Sequence, residues 1–200
     1  MRYSLHHIIS HVRTLLNYCP DCKPLIDVCD EPTLSINRMI ATMLPTAARR
    51  VLLNASVTAI DTLRPLTGEV AWKTWPGGAI AFIPLPDDFL RLASIQMTGW
   101  QRPAQIITEE SPEYEWQSSR FIGVRGNPQR PVAAIVRYPF GQVVELYSCA
   151  DVTQTTIKRA LYVPLPEVDA DGYIDLPKGL FHDIADYTAN LTRQIITENP

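Results

Sequence analysis

Three cysteines near the start of the chain have a spacing that suits the binding of a metal ion. Cys19 and Cys22 form a Cys-x-x-Cys pair, and Cys29 follows in the same stretch. Thiolates bind Zn²⁺ tetrahedrally, and an upstream histidine, His7 or His11, would supply a fourth ligand. The downstream half of a zinc signature is missing, so we expect free thiols and no cofactor. A zinc-dependent regulator with zinc at the three cysteines is the alternative.

Acidic residues cluster at two further places. Asp169 and Asp171 precede Gly172 as at the start of a calcium-binding EF-hand loop, but a lysine stands where that loop needs its glutamate. We therefore predict a β-turn there. Asp87 and Asp88 follow a proline, which is typical of a turn or a helix cap. No nucleophile elbow, phosphate-binding loop, dinucleotide fingerprint or zinc-protease motif occurs, so we expect no enzyme activity.

Tryptophans are the remaining candidates for a binding site. An exposed row of Trp72, Trp75 and Trp100 would stack against sugar rings. That arrangement predicts the alternative function, a carbohydrate- or protein-binding β module with helical flanks. Aromatic residues in short strands more often fill a core or a subunit interface, so we expect the tryptophans in one of those places.

The composition is that of an ordinary folded chain with a slightly acidic balance. Of 200 residues, 46% are hydrophobic and 20% are charged, and 18 Lys and Arg stand against 21 Asp and Glu for a net charge of −3. That balance disfavours a surface built to neutralise phosphates, so we expect no specific nucleic-acid binding. No stretch approaches the roughly 20 apolar residues that cross a bilayer, so no membrane partner is expected.

Hydrophobic periodicity predicts helices at both ends of the chain. Apolar residues recur every three or four positions in three segments, which is the pattern of an amphipathic helix. Pro45 lies inside the second segment, where we expect a kink or two abutting helices. The three predicted helices are Tyr3–Tyr18, Pro32–Asn54 and Leu180–Ile196.

Between these helices the period shortens to two residues, which predicts short strands and two hairpins. The predicted class is therefore α+β: residues 1–55 and 165–200 form a helical bundle, and residues 56–164 form an inserted β-rich unit, like a sandwich or a barrel. A polar stretch, Ser111 to Asn127, predicts an exposed or mobile loop. The predicted strands are 69–75, 79–83, 90–97, 105–108, 121–124, 132–138 and 143–147.

Short motifs in this order resemble the head-to-tail adaptor proteins, also called connector or neck proteins, of tailed bacteriophages. The matching segments are Leu85-Pro-Asp-Asp-Phe-Leu-Arg-Leu92, Arg130-Pro-Val-Ala, Val144-Glu-Leu-Tyr147, Tyr162-Val-Pro and Ile174-Asp-Leu-Pro177 before the last helix. The resemblance implies a structural virion protein. Its copies would form a dodecameric ring below the portal protein, extend the DNA channel without binding DNA specifically, and offer a platform to other neck or tail proteins. It also implies a place in the neck or tail of the virion, and in the host cytoplasm during assembly.

A ring needs a surface that meets a different surface on the neighbouring copy. From position and composition we expect contacts in the loop 111–127 and in the C-terminal turn 193–200. Deleting residues 111–127 is expected to leave the fold intact and abolish ring assembly. The interface candidates are Ser111, Tyr114, Trp116, Arg120, Arg193 and Thr197.

Overall fold

The computed structural model describes residues 1–17, 31–75, 78–121, 123–149 and 156–198 of the chain. The helices are α1 (Leu5–Asn17), α2 (Glu31–Asn54), α3 (Pro112–Trp116) and α4 (Phe181–Glu198), with short 3-10 turns at Val57–Ala59 and Lys178–Leu180. The strands are β1 (Arg2–Ser4), β2 (Arg64–Pro65), β3 (Ala71–Trp75), β4 (Gly78–Pro84), β5 (Phe89–Met97), β6 (Gln105–Thr108), β7 (Val132–Tyr138), β8 (Gly141–Cys149), β9 (Ile157–Pro164) and β10 (Tyr173–Asp175). The predicted α+β class is confirmed.

The chain divides into two compact units. The terminal unit comprises Met1–Thr62 and Pro164–Pro200, and the inserted unit comprises Leu63–Val163. Within the described ranges, no helix combines the length and the apolar character that crossing a bilayer requires.

In the terminal unit, α4 packs against both α1 and α2. The buried side chains follow the helical period because each helix turns one apolar stripe inward. The first residues of the chain lie outside α1, since β1 pairs antiparallel with β10. The fully buried positions include Ile8, Val12, Ile40, Leu44, Ile174 and Ile184.

Proline 45 does not divide the second helix. Of the two alternatives expected at Pro45, a kink or two abutting helices, the second is wrong, because α2 runs without interruption from Glu31 to Asn54 with Pro45 inside it. A proline in a helix interior costs about 3 kcal/mol because one backbone hydrogen bond is lost. Leu44, Ala47 and Ala48 are completely buried beside it, and that packing offsets the loss.

The inserted unit consists of two sheets. One is five-stranded in the order β3-β4-β8-β7-β6, and the other is three-stranded in the order β2-β9-β5. Both predicted hairpins are confirmed, since β3 pairs antiparallel with β4 and β7 with β8. Both sheets contribute to one apolar core, which includes Ile83, Ile95, Met97, Val144, Leu146 and Tyr162.

The five-stranded sheet is covered differently on its two faces. Val144 and Leu146 of β8 belong to the core between the sheets. Side chains alternate along a strand, so Glu145 and Tyr147 point to the opposite face. On that face a small cluster of Ile107, Val132, Ala134 and Val136 packs against Tyr114 of α3, Tyr138 and Tyr147. The α3 segment therefore rests on the second face.

The polar segment 111–127 is more ordered than its composition predicts. The strand predicted at 121–124 is wrong, because the described residues there form a turn in which the Val124 N–H donates to the Phe121 carbonyl. The segment begins with α3, where Pro112 and two glutamates occupy the first turn, as suits a helix N-terminus. Most described residues of the segment are exposed or half-buried, as an exposed loop requires, but Gln117 and Gly126 are buried within it.

Candidate functional site

One buried glutamine closes a loop in the inserted unit. The Oε1 of Gln117 accepts a hydrogen bond from the Gly126 N–H at 2.9 Å, and its Nε2 donates to the Glu113 carbonyl at 2.9 Å. The Gln117 residue is only 3% exposed. Because both ends of the loop bond to the same side chain, the loop is held closed, in the manner of compact Ω-loops.

The loop displays large apolar side chains to solvent. Trp116, Phe121 and Val124 are 52%, 60% and 50% exposed. The Arg120 guanidinium lies 5.0 Å from the centroid of the Phe121 ring. We call residues 116–121 and 123–126 the apolar loop. Exposed apolar groups concentrated on so short a segment are typical of an interaction surface.

Short backbone bonds give the apolar loop its shape. The Ser119 N–H donates to the Trp116 carbonyl at 3.0 Å, and the Arg125 N–H donates to the Phe121 carbonyl at 3.2 Å. The Ser119 hydroxyl accepts a bond from the Phe121 N–H at 3.2 Å. Local bonds of this kind are what serine-rich turns use in place of a strand ladder.

Gly126 allows the end of the loop to approach the sheet. A Cβ at this position would lie 2.8 Å from the Ser148 Oγ and 3.0 Å from the Val132 Cγ2. The first distance is too short for non-bonded atoms and the second is tight, so a side chain here would require Ser148, Val132 or the loop to shift. Glycine lets the loop approach the sheet without that adjustment.

A buried carboxylate fixes α3 to the sheet beneath the apolar loop. Glu145 accepts hydrogen bonds from three phenols: Tyr138 at 2.6 Å, Tyr114 at 3.1 Å, and Tyr147. We call these four residues the tyrosine clamp. A buried charge is costly unless its hydrogen bonds are satisfied, and the three hydroxyls supply them. Since Tyr114 belongs to α3, the clamp sets where the apolar loop begins.

The clamp keeps its phenols protonated. The hydrogen bond to Glu145, helped by burial, raises the pKa of Tyr138 well above its usual range. Burial, together with the same carboxylate, raises the pKa of Tyr147 still further. Burial and the nearby charge of Glu145 also raise the pKa of Tyr114. A phenolate beside Glu145 would place two negative charges together, so the neutral phenol is favoured.

Two of the predicted interface residues in segment 111–127 anchor it to the rest of the inserted unit, and two are exposed to solvent. Ser111 is an anchor, because its Oγ accepts the Thr108 N–H at 3.2 Å, and Tyr114 is an anchor through the clamp. Trp116 and Arg120 are exposed on the apolar loop. Deleting residues 111–127 would therefore remove buried partners, so the expectation of an intact fold no longer holds.

The two C-terminal candidates lie in the terminal unit. Arg193 and Thr197 lie near the end of α4, where the Thr197 hydroxyl donates to the Arg193 carbonyl at 2.9 Å. The Arg193 guanidinium donates to the Asn190 Oδ1 at 3.2 Å. These bonds are local to the helix and point to no ligand.

Sequence reasoning missed Gln117, Gly126 and Glu145. A polar glutamine and a glycine in a polar segment give no periodic signal. Glu145 did give a different signal, because a single acidic residue inside the apolar strand 143–147 is unusual and indicates that it has hydrogen-bond partners.

The alternative site of stacked tryptophans does not form around Trp100. That residue is 5% exposed and donates from its Nε1 to the Ser148 carbonyl at 3.1 Å. Trp72 is half-buried and packs against the same core. A ligand could not reach the Trp100 ring without opening the core.

The predicted zinc ligands Cys19, Cys22 and Cys29 lie outside the described residues. Among the residues that are described, no group of three or more His, Cys, Asp or Glu side chains is placed to hold a metal ion. Cys149 is buried, and burial raises the pKa of its thiol to about 12. Its thiolate, the reactive form, is therefore scarce at neutral pH.

The acidic segment around Asp169 forms the predicted turn. The Asp169 Oδ1 accepts the N–H groups of Asp171 at 3.0 Å and Tyr173 at 2.8 Å. Its Oδ2 lies 2.6 Å from the Arg2 guanidinium, and Gly172 adopts a positive φ of 76°. The hydrogen bond from Tyr173, followed by the contact with Arg2, lowers the pKa of Asp169. This carboxylate closes a turn.

Similarity to known proteins identifies no family. No protein-family model matches the chain, and no curated protein matches it. The apolar loop and the clamp beneath it, together with the resemblance carried by the short motifs, are therefore the features that bear on function.

Proposed function

We propose that this chain is a structural virion protein that forms a ring between the portal and the tail of a bacteriophage. The ring extends the DNA channel and gives the tail its platform, as the resemblance to head-to-tail adaptor proteins implies. The observation that carries the proposal is the apolar loop, which displays Trp116, Phe121 and Val124 on a closed frame. Its partners are further copies of the chain, the portal protein and other neck or tail proteins.

The construction of the apolar loop supports subunit contact in particular. Association costs free energy when it orders mobile side chains and loops. Gln117 and the tyrosine clamp hold the loop in one conformation before any partner arrives. Binding therefore requires little further ordering of the loop. More of the free energy gained by burying its apolar surface then contributes to affinity.

The charge of the chain is compatible with a DNA channel. The net charge is −3 over 200 residues. A strongly basic wall would bind the phosphates of a passing duplex and retard it, whereas a mildly acidic one lets it slide. The proposal places the protein in the virion neck, and in the host cytoplasm before assembly.

The alternative, a carbohydrate- or protein-binding β module, finds less support. It needs an open row of tryptophans, and Trp100 lies in the core. No described geometry favours it over the ring.

The test compares assembly of the wild-type chain with that of a loop variant and a matched control. Trp116→Ala/Phe121→Ala removes two aromatic rings from the apolar loop. Phe140→Ala removes an exposed ring from the β7–β8 turn, where Phe140 is 77% exposed. Light scattering gives the mass of each protein alone and mixed with its candidate portal protein.

We expect the wild-type chain and Phe140→Ala to form a large ring, alone or only on the portal. The double variant should remain a monomer with an unchanged circular dichroism spectrum. A wild-type chain that stays monomeric in both conditions would overturn the ring. A double variant that assembles as well as Phe140→Ala would show that the apolar loop is not the contact.

A further inference from the structure

A cleft in the terminal unit has the size and lining to accept an aromatic side chain. It lies between the end of α2 and the first half of α4, with a volume of about 380 Å³. Val51, Ala55 and Leu180 form an apolar lining. An apolar cavity of roughly 150 Å³ is enough to hold a benzene ring. The cleft therefore has room for one phenyl ring and part of a neighbouring side chain.

The rim of this cleft carries charge. The Arg50 guanidinium lies 5.8 Å from the centroid of the Tyr187 ring, and this pair forms one wall. Asp183 is exposed at the first turn of α4 and lines the cleft. Nowhere in the described part of the chain does Asp183 have an ion-pair partner. The rim thus carries a cation, Arg50, over the Tyr187 ring and an anion, Asp183. An entering group with an apolar ring and a cation on the Asp183 side would complement that anion.

The apolar loop offers that combination. Phe121 is exposed, and Arg120 lies against its ring, with no ion-pair partner among the described residues. We propose that Phe121 of one copy inserts into the cleft of a second copy and that Arg120 pairs there with Asp183. This inference rests on the proposed function, since it names the contact from which the ring would be built.

The occupant is a second copy because the same chain carries both complementary surfaces. Phe121 is exposed beside Arg120, and the cleft has an apolar lining beside Asp183; neither charge has an ion-pair partner among the described residues. The ring therefore matches the cleft in size, and Arg120 matches Asp183 in charge. The loop and the cleft are different surfaces, so the contact is heterologous, each copy giving a loop to one neighbour and a cleft to the other. Such contacts generate rings when the rotation closes.

Charge reversal at the two exposed positions tests the pairing without disturbing the core. Arg120→Asp places an anion beside Asp183 of the neighbour, and Asp183→Arg places a cation beside Arg120. Either substitution alone should raise the concentration of half-assembly about tenfold, because like charges then meet at the contact. The double variant Arg120→Asp/Asp183→Arg should return it to near the wild-type value.

Mixing the two single variants gives a second and independent readout. The acidic loop of the Arg120→Asp variant fits the basic cleft of the Asp183→Arg variant. The unchanged Arg120 of the second variant likewise fits the unchanged Asp183 of the first. An equimolar mixture should therefore assemble although each variant alone is impaired. Sedimentation velocity and mass photometry measure assembly, in the presence of the candidate portal protein if the wild-type chain needs it.

The outcomes separate failure of this contact from failure of the ring. Impaired single variants with recovery in the double variant and in the mixture support the loop-in-cleft contact. Single variants that assemble like the wild-type chain, or that stay impaired in the mixture, overturn this contact and leave the ring standing. A wild-type chain that is monomeric under every condition overturns the proposed function and this inference together.

Discussion

The apolar loop of the inserted unit and the acidic turn of the terminal unit, residues 169–172, are closed by the same device. In each, one side chain accepts hydrogen bonds from the main chain: Gln117 in the loop and Asp169 in the turn. The depth of the anchor differs, since Gln117 is 3% exposed whereas the Asp169 side chain is 42% exposed.

The two segments also differ in what they present. The apolar loop shows Trp116 and Phe121 to solvent, whereas the acidic turn shows the carboxylate of Asp171. A polar turn is well solvated by water and does not need a binding partner to cover it. An apolar loop held by buried anchors gains free energy when a partner covers it, so the buried anchor and the exposed tip together support the proposed interface.

The largest effect is expected from Glu145→Ala, which tests whether the apolar loop depends on its clamp. The substitution leaves the hydroxyls of Tyr114, Tyr138 and Tyr147 without their acceptor. We expect the inserted unit to lose about 3 kcal/mol of its free energy of unfolding. All four tryptophans of the chain lie in this unit, so tryptophan fluorescence during urea unfolding reports it directly.

Glu145→Gln is the matched control, because the amide keeps one oxygen acceptor and nearly the same volume. Its loss should be about 1 kcal/mol. Equal losses for the two variants would mean that the carboxylate acts through packing and not through its hydrogen bonds.

Gln117→Ala addresses the closure of the apolar loop itself. The buried N–H of Gly126 loses its acceptor and the Glu113 carbonyl loses a donor. An unsatisfied buried group makes the expected loss about 2 kcal/mol. Hydrogen exchange should show faster exchange of the Gly126 amide and its neighbours. Ser118→Ala is the control, because it removes only an exposed hydroxyl that donates to the Glu115 carbonyl, and it should change both quantities little. Protection of the Gly126 amide that survives Gln117→Ala would exclude the closure.

The two regions should respond to opposite ends of the pH scale. The pKa values of Tyr138 and Tyr147 are raised in the folded state, so the folded unit keeps protons that the unfolded chain releases above about pH 10. Stability of the inserted unit therefore falls as the pH rises past about 10. Urea unfolding followed by tryptophan fluorescence between about pH 8 and about pH 11 measures this fall, which Glu145→Gln should reduce. A fall of the same size in that variant would contradict the role of the carboxylate.

The acidic turn should instead respond to acid. The pKa of Asp169 is lowered in the folded state, so its contribution is present above the unfolded value of about 4 and disappears as the pH falls through the folded value. Circular dichroism of the helices, most of which lie in the terminal unit, follows this change.

The smallest effect is expected from Asp169→Asn. The amide oxygen still accepts the two N–H bonds, and only the exposed ion pair with Arg2 is lost. Exposed ion pairs contribute little, so the midpoint of thermal unfolding should barely move. A change as large as that of Gln117→Ala would remove the distinction between the buried and the exposed anchor.

The local pattern of the chain predicted most of the elements for clear physical reasons. The three long helices follow from apolar stripes with a helical period, and the hairpins follow from alternation in period two. Alternation also implies that Glu145 lies on the opposite face of β8 from Val144 and Leu146. What lies on that face could not be predicted, because Tyr114 comes from a segment 31 residues away.

Pro45 and the segment 111–127 show where local signals are incomplete. Pro45 is a helix breaker by its own preference, but complete burial of its neighbours outweighs that preference. The polar composition of 111–127 predicts an exposed or mobile loop, yet Gln117 and Gly126 within it are buried and joined by a hydrogen bond. Neither outcome has a periodic signature, since each depends on which surfaces meet in three dimensions.

The sequence by itself therefore determined the α+β class, the long helices, the hairpins and the polar turn at Asp169, because these depend on residues close together along the chain. The tertiary structure decided which polar side chains became buried anchors, and so which apolar ones remained outside. The physical reason is that the burial of a side chain depends on which parts of the chain pack together in three dimensions. Gln117 and Glu145 are buried with their hydrogen bonds satisfied, whereas Phe121, on the loop that they anchor, stays exposed.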